Sequence, residues 1–393
     1  MRFFKTAFFK HIRVLIALCA MAPGLSACLS PDKKSFSEAE WSQKVEETGV
    51  HDLYAPHLKD GRFFSPWMKA GDKSFWDVLF WKITAQKNYT PTQEAFLPRV
   101  LENTAERIAR TRGDFILWIG HNTFLIRIGA TWWLTDPIFS KRALVPPRET
   151  PPALTLEAFN ELAREVEDIR VVISHNHYDH LDAPTLKKLP RHCRFYTPLG
   201  LGDYIRDMGQ SRVTEMDWWE EIDLGNGSRL ICLPAQHWSL RIGMKRNASL
   251  WASFLLITPQ TTLYFGGDSG YFKGFREIGR KYPAIDYAFM AVTAYHPRWF
   301  MHVHHMNVPE AAKAFDELGA RFFIPTQWGT FRLGNEPAGY PGLDLRRHID
   351  KNREDPSRFK IMDIGRIIPI QKGHSHSKKT FPFKKTIKRR ESS

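Results

Sequence analysis

From position 115 onward the chain alternates short apolar runs with polar or glycine-containing breaks, and several of the runs end at a polar residue able to carry chemistry. Phe115 to Ile119, Thr123 to Ile128 and Thr131 to Leu134 are brief and rich in β-branched and aromatic residues. Gly120-His121-Asn122 and Gly129-Ala130 separate them, so they predict a meander of antiparallel strands that Asp136-Pro137 ends. A helical stretch from about Leu156 to Glu167 leads into Ile169 to Ile173, a mostly apolar run after Asp168 that predicts a buried strand. The unit then recurs. Arg229 to Leu233 precedes His237, Thr262 to Phe265 precedes Asp268, Asp286 to Val292 precedes Thr293 and Tyr295, and Arg321 to Ile324 precedes Gln327. Asn307-Val308-Pro309-Glu310 starts a helix with an N-cap, a first-turn proline and a capping-box Glu. Ala311, Ala314, Phe315 and Leu318 form its inner face, and Gly319 closes it. Strands, polar loops and helices in this alternation predict an α/β protein with sheets covered by helices.

The first hundred residues read differently. Residues 1–27 combine a basic start (Arg2, Lys5, Lys10, Arg13) with an apolar stretch, Val14 to Met21, too short to span a bilayer, as a secretory signal does. The stretch ends in Leu25-Ser26-Ala27-Cys28, similar to a bacterial lipoprotein box. That likeness implies a lipidated Cys28 and, with Leu29 next, an outer-membrane lipoprotein facing the periplasm; an uncleaved anchor is the other reading. Residues 28–100 are expected to be an extension packed on a main domain at 101–371. Within it Trp76, Leu79, Phe80 and Ile83 follow helical spacing. They make either a helix face against that domain or a surface for lipid, which Trp and Phe favour.

Charge narrows the partners. Of the formal +14, the tail at 372–393 carries +7 and the first 27 residues +4, which leaves +3 for residues 28–371. A near-neutral body gives no basic groove for nucleic acid, and the tail reads as a disordered charged arm. Cys193 and Cys232 are the body's two cysteines; an oxidising compartment would permit their pairing, and free buried thiols are the alternative.

One segment concentrates the chemistry. Ser174-His175-Asn176-His177-Tyr178-Asp179-His180-Leu181-Asp182 directly follows a predicted strand. Its spacing suits two adjacent metal ions, His175 and His177 gripping one, Asp179 and His180 the other. Imidazole with carboxylate is a ligand set for zinc or a similar transition metal.

The HxHxDH loop resembles the signature of the metallo-β-lactamase fold superfamily, which implies a four-layer αββα sandwich. Further motifs are similar to the N-acylphosphatidylethanolamine phospholipase D group. They are Gly120-His121-Asn122-Thr123, Leu134-Thr135-Asp136-Pro137-Ile138-Phe139-Ser140, Asp217-Trp218-Trp219-Glu220-Glu221, Ala235-Gln236-His237-Trp238, Phe265-Gly266-Gly267-Asp268-Ser269-Gly270-Tyr271, Tyr295-His296-Pro297-Arg298-Trp299-Phe300-Met301 and Trp328-Gly329-Thr330-Phe331. The resemblance, spanning about 110–370, implies His175, His177 and His237 on a first zinc, Asp179 and His180 on a second, and Asp268 bridging both. Asp179, Asp268 and His305 would then be the catalytic set, working with a metal-activated hydroxide on a phospholipid at a membrane surface. His305, Tyr295 and Arg298 would contact substrate, Arg298 having a packing role as its alternative. His121 and Asp136 are candidates to orient ligands or simple strand-end residues. His302 and His304 are expected at the solvent surface. Gln327 departs from the pattern, standing where the group has its last second-metal histidine. A neutral amide is a weaker donor, so a weak second site, an oxygen-preferring metal or a substitute histidine (His296, His302, His304 or His305) is expected. Other hydrolases of the fold, and a non-catalytic metal-binding lipoprotein, are the competing functions.

Overall fold

Side chains along the apolar runs alternate between two buried faces, as strands covered on both sides require. The computed structural model describes residues 36–68, 73–84 and 88–371; the signal-like segment, Cys28 and the basic tail lie outside them. The chain divides between Ser42 and Gln43 into two units, and the second carries every strand of the two large sheets.

These strands are β1 (Phe115–Gly120), β2 (Thr123–Ile128), β3 (Thr131–Thr135), β4 (Asp168–Val172), β5 (Arg194–Pro198), β6 (Val213–Met216), β7 (Glu221–Gly225), β8 (Ser228–Leu233), β9 (Ser253–Ile257), β10 (Thr262–Phe265), β11 (Tyr287–Ala291), β12 (Phe322–Thr326) and β13 (Ile367–Pro369). One sheet has the order β13-β1-β2-β3-β4-β5-β6, the other β12-β11-β10-β9-β8-β7. The predicted meander β1 to β3 is antiparallel, and β3 to β6 then run parallel. In the second sheet β7 to β10 are antiparallel, with β11 and β12 parallel beyond them.

Ile126, Trp133 and Val172 of the first sheet face Phe254, Leu256, Phe265 and Phe289 of the second across a void of only about 20 Å³. Phe124 meets Phe289 edge-to-face at 4.9 Å. The outer face of the first sheet buries Leu117, Leu125, Leu134, Ile169 and Val171 with Phe159 of α2 (Leu156–Ala163). On the far side Phe275 of α3 (Gly274–Lys281) meets Tyr264, and Phe315 of α4 (Val308–Leu318) meets Phe323. This is the expected αββα sandwich.

The α4 capping box on Asn307 and Glu310 is formed, and Gly319 closes the helix at φ 63°. The helix predicted for 156–167 stops earlier, because Arg164 and Val166 turn back onto the carbonyls of Glu161 and Ala163 before β4 begins.

α1 (Phe75–Thr84) differs in orientation from its predicted face. Trp81 is the buried residue, stacked on Phe300 at 4.8 Å and donating from Nε1 to Asn335 (2.7 Å). Phe80 packs on Trp299, whereas Trp76 (66% exposed) and Ile83 (74%) point to solvent. The hydrogen-bonding indole decides this: buried Trp81 gains the Asn335 oxygen as partner together with the Phe300 stack. Both body cysteines are free and buried, Cys232 on β8 of the second sheet and Cys193 just before β5 of the first, and they do not pair. Among the described residues, no helix is long and apolar enough to cross a membrane.

Candidate metal centre

Strand ends at one edge of the two sheets converge. From the first sheet, β4 leads into His175, His177, Asp179 and His180, β3 leads into Asp136, and the β1–β2 turn presents His121. From the second, β8 leads to His237, β10 to Asp268 and β12 directly to Gln327. His121 (φ 54°), Asp136 (φ 30°) and Gln327 (φ 70°) all hold left-handed backbone, which costs of order 1–3 kcal/mol each and persists only where surrounding structure enforces it. Gly267 is required beside Asp268: it has φ 57°, and a Cβ there would lie 2.6 Å from that of Ser174.

Two donor sets form. His175 Nε2 and His237 Nε2 lie 2.8 and 3.2 Å from His177 Nδ1, with Asp268 Oδ2 at 4.0 and 3.6 Å from the same two Nε2 atoms. In the other set Asp179 Oδ2 is 3.0 Å from His121 Nε2 and 3.2 Å from His180 Nε2, and Asp268 Oδ1 is 3.3 Å from His180 Nε2. Asp268 therefore touches both. Within each set the ligand atoms lie within 4.8 Å of one another.

The surroundings fix which atom of each imidazole faces inward. His237 Nδ1 donates to the His304 carbonyl (3.1 Å), and His180 Nδ1 donates to Asp136 Oδ2 (2.6 Å). Their Nε2 lone pairs are thereby turned to the centre, the arrangement that partner groups of metal-bound histidines impose. Asp136 also accepts from Ser174 N (2.7 Å) and Ser174 Oγ (2.6 Å), tying the start of the loop to β3.

Electrostatics favours a cation. Burial and the neighbouring imidazoles hold His175 and His237 well below the usual histidine range, and burial pushes His177 down to about 4, so all three are neutral donors. Burial opposes ionising Asp179 and Asp268, yet His180 overrides it and holds both below the usual carboxylate range. For His180 burial is likewise outweighed, by Asp268, Asp179 and Asp136, which push it well up. Gln327 Oε1 is buried with no hydrogen-bond partner among the described residues, while its Nε2 contacts Asp268 and lies 2.9 Å from His180 Nε2. Converging imidazole nitrogens, two carboxylates and an orphaned amide oxygen fit a metal pair.

The centre opens into a cavity of about 670 Å³. His177, Asp179, Asp268, His304 and His305 line its floor, and Val78, Trp81, Leu144, Val145, Leu240, Ile242 and Met301 its walls. His305 Nδ1 is 4.0 Å from Asp268 Oδ2, beside the donors as expected.

Other expectations are corrected. Tyr295 is buried outside the cavity, its hydroxyl donating to Asp344 (2.9 Å). Arg298 is an internal clamp: its guanidinium donates to Glu310 (2.8 Å) and to the His305 carbonyl (3.1 Å), so it holds the His305 loop and does not face substrate. Lys73 and Arg246 bring positive charge to the cavity instead. His304 is buried against Trp238 and His237, not at the surface, and half-buried His302 bonds the Arg298 carbonyl. Sequence reasoning also missed Arg241. From the β8–β9 connection it donates to the carbonyls of Asn176 (2.9 Å) and Leu181 (2.8 Å), bracing both ends of the metal loop.

An αββα sandwich with two histidine-carboxylate clusters at one edge defines a metallo-hydrolase of the β-lactamase fold. The family model of the β-lactamase superfamily domain matches residues 131–328, and the chain belongs to that superfamily. Its relatives include the N-acyl-phosphatidylethanolamine-hydrolyzing phospholipase D 1 of Caenorhabditis elegans, 33% identical over 283 residues that cover 67% of this chain and 78% of that protein. Another is the outer membrane protein RomA of Klebsiella pneumoniae, 45% identical over 97 residues, 25% of this chain and 71% of that protein. A crystal structure of a possible metal-dependent hydrolase from Veillonella parvula shares the fold, with a TM-score of 0.53 at 17% identity over 66% of this chain and 99% of that one.

Proposed function

We propose that this metal-dependent hydrolase is a zinc phosphodiesterase of phospholipase D type, acting on N-acylphosphatidylethanolamine-like lipids. The observation that carries the reading is the meeting of a two-metal donor set with a mostly apolar cavity whose rim stays greasy. Leu144, Val145, Leu240 and Ile242 (79% exposed) come from two separate connections and surround the opening. A cavity of this kind suits acyl chains above a phosphate held at the floor. The phospholipase D relative supports the choice of substrate class. Three imidazoles in the first set favour zinc.

When bound, the metal pair supplies Lewis acidity and a water acidic enough to attack phosphorus at neutral pH. The chain's own residues do the rest. Lys73 and Arg246 offer countercharge to phosphate oxygens, and Lys73, whose ammonium burial pushes down to about 8, is available as either donor or cation. His305 lines the floor within reach of a departing oxygen, and the apolar walls exclude bulk water. The exposed rim, with Trp76 and Ile83 on α1, supports a membrane surface as partner. An anchor at Cys28 would tether the domain there, and the outer-membrane relative supports that location. The test is release of phosphatidate from N-acylphosphatidylethanolamine vesicles by metal-loaded protein, with His175→Ala as control. Equal, background rates for both proteins on this lipid and on simple phosphodiesters would sink the reading.

A further inference from the structure

We infer that His121 is a ligand of the second metal ion and takes the place of the histidine that Gln327 replaces. The inference rests on the two-metal reading of the same site.

None of the four substitutes expected from sequence reaches the second donor set. His296 Nδ1 pairs with the Tyr89 hydroxyl (2.7 Å), His302 Nδ1 with the Arg298 carbonyl, and His304 packs on His237. His305 approaches Asp268 through Oδ2, the oxygen turned to the first set. His121 is fully buried and does reach it, through Nε2 at 3.0 Å from Asp179 Oδ2.

Its tautomer is fixed by the residue it replaces in function. His121 Nδ1 faces the backbone carbonyl of Gln327 at 3.3 Å, and a carbonyl only accepts, so Nδ1 carries the proton. The Gln327 backbone amide returns a bond to the His121 carbonyl (3.2 Å), and Thr330 Oγ1 accepts from His121 N (2.8 Å). In the neutral ring Nε2 is then a lone pair aimed at a carboxylate oxygen, two acceptors face to face. A cation between them resolves the conflict. His180 repeats the geometry, with Nδ1–H on Asp136 and Nε2, whose proton a metal ion would displace, toward Asp179 and Asp268. Metal bonds of about 2.0–2.2 Å put neighbouring ligand atoms about 3.0–3.5 Å apart, and the observed separations are 3.0, 3.2 and 3.3 Å. A His121 that merely oriented Asp179 would have to donate from Nε2 as well as Nδ1, which makes the ring a buried imidazolium.

The experiment is metal stoichiometry and stepwise zinc affinity of the full chain, by dialysis and elemental analysis, for wild type, His121→Ala, His121→Gln and Gln327→Ala. Diffraction from cobalt-loaded wild-type crystals is the second measurement. Wild type is expected to bind two ions. Both His121 variants should keep the first and lose well over about 100-fold at the second, beyond the roughly 10–100-fold of a lost orienting group, and Gln327→Ala should lose less. The cobalt structure should show His121 Nε2 within about 2.3 Å of the second ion. A single ion in wild type, a second-site loss of about 100-fold or less in His121→Ala, or an Nε2–metal distance beyond about 3 Å overturns the assignment. The diffraction result stands even if a variant fails to fold. Lipid turnover is not a readout: two ions with inert lipid would sink the substrate proposal and leave His121 in place.

Discussion

Changing Asp136 to Asn removes one charge and leaves the shape, so it isolates what that carboxylate does for His180. The side chain accepts three hydrogen bonds, from Ser174 N, Ser174 Oγ and His180 Nδ1. An asparagine can keep its oxygen on Ser174 N, and the serine hydroxyl can turn to accept from the new NH₂. His180 Nδ1–H has no such escape, since it would meet a donor. Its proton must move to Nε2, and the lone pair facing Asp179 and Asp268 disappears. Losing one bond to a charged group costs about 1.5–3 kcal/mol of stability in the metal-free protein. The orienting loss weakens the second ion by about 10–100-fold, equivalent to about 1.4–2.7 kcal/mol. The first ion, held by His175, His177 and His237, should be affected less. Cobalt titration against a competing chelator gives both affinities, and urea unfolding of the chelated protein gives the stability term. Asp136→Asn protein that binds both ions with wild-type affinity would refute the argument that Asp136 sets the His180 tautomer.

Arg241→Lys should lower stability by about 1.5–3 kcal/mol and reduce turnover, because one ammonium cannot keep the Nε bond to the Tyr204 hydroxyl together with the two Nη1 bonds to the Asn176 and Leu181 carbonyls; unchanged unfolding midpoints would contradict the bracing role. Trp81→Ala should cost about 3–5 kcal/mol, whereas exposed Trp76→Ala should stay within about 0.5 kcal/mol, a contrast that thermal melting resolves. Ile242→Asp should reduce vesicle binding in flotation assays while hydrolysis of a soluble phosphodiester is retained; parallel loss of both would argue against a membrane-facing rim. The chelated protein should lose stability as pH falls from 6.5, the ordinary histidine value, through about 4, the folded value of His177. The sign follows because the unfolded chain binds more protons in that window, with six depressed imidazoles (His175, His177, His237, His302, His304 and His305) set against one raised, His180. Melting temperatures flat across the window would contradict it.

The strands that carry ligands were legible because each apolar run stops at a residue type with metal chemistry, a local signal that needs no knowledge of the fold. β5, β7, β9 and β13 carry no such residue just after their ends, and with β6 they escaped notice. His121 was visible in the sequence as a candidate to orient ligands, not as a ligand. Its closeness to Asp179 is created by strand pairing across 58 positions, which no spacing rule reports. Arg241 lies in an irregular connection, and its carbonyl partners have no sequence signature. Arg298 is the instructive error. Its partner Glu310 was already recognised as a capping-box residue, and Glu310 uses Oε2 for the cap and Oε1 for Arg298. A carboxylate twelve positions away was the available hint that this guanidinium was spoken for.

The metal centre draws His175, His177 and His180 from one sheet and His237 and Asp268 from the other, which gives the ions a mechanical role. Each sheet owns half a site and neither can close it alone. A bound ion thus acts as a reversible rivet between the two halves of the sandwich, strengthening their union by an amount set by free metal concentration. Any substitution that slides one sheet on the other, however far from the edge, should register first as a change in metal affinity.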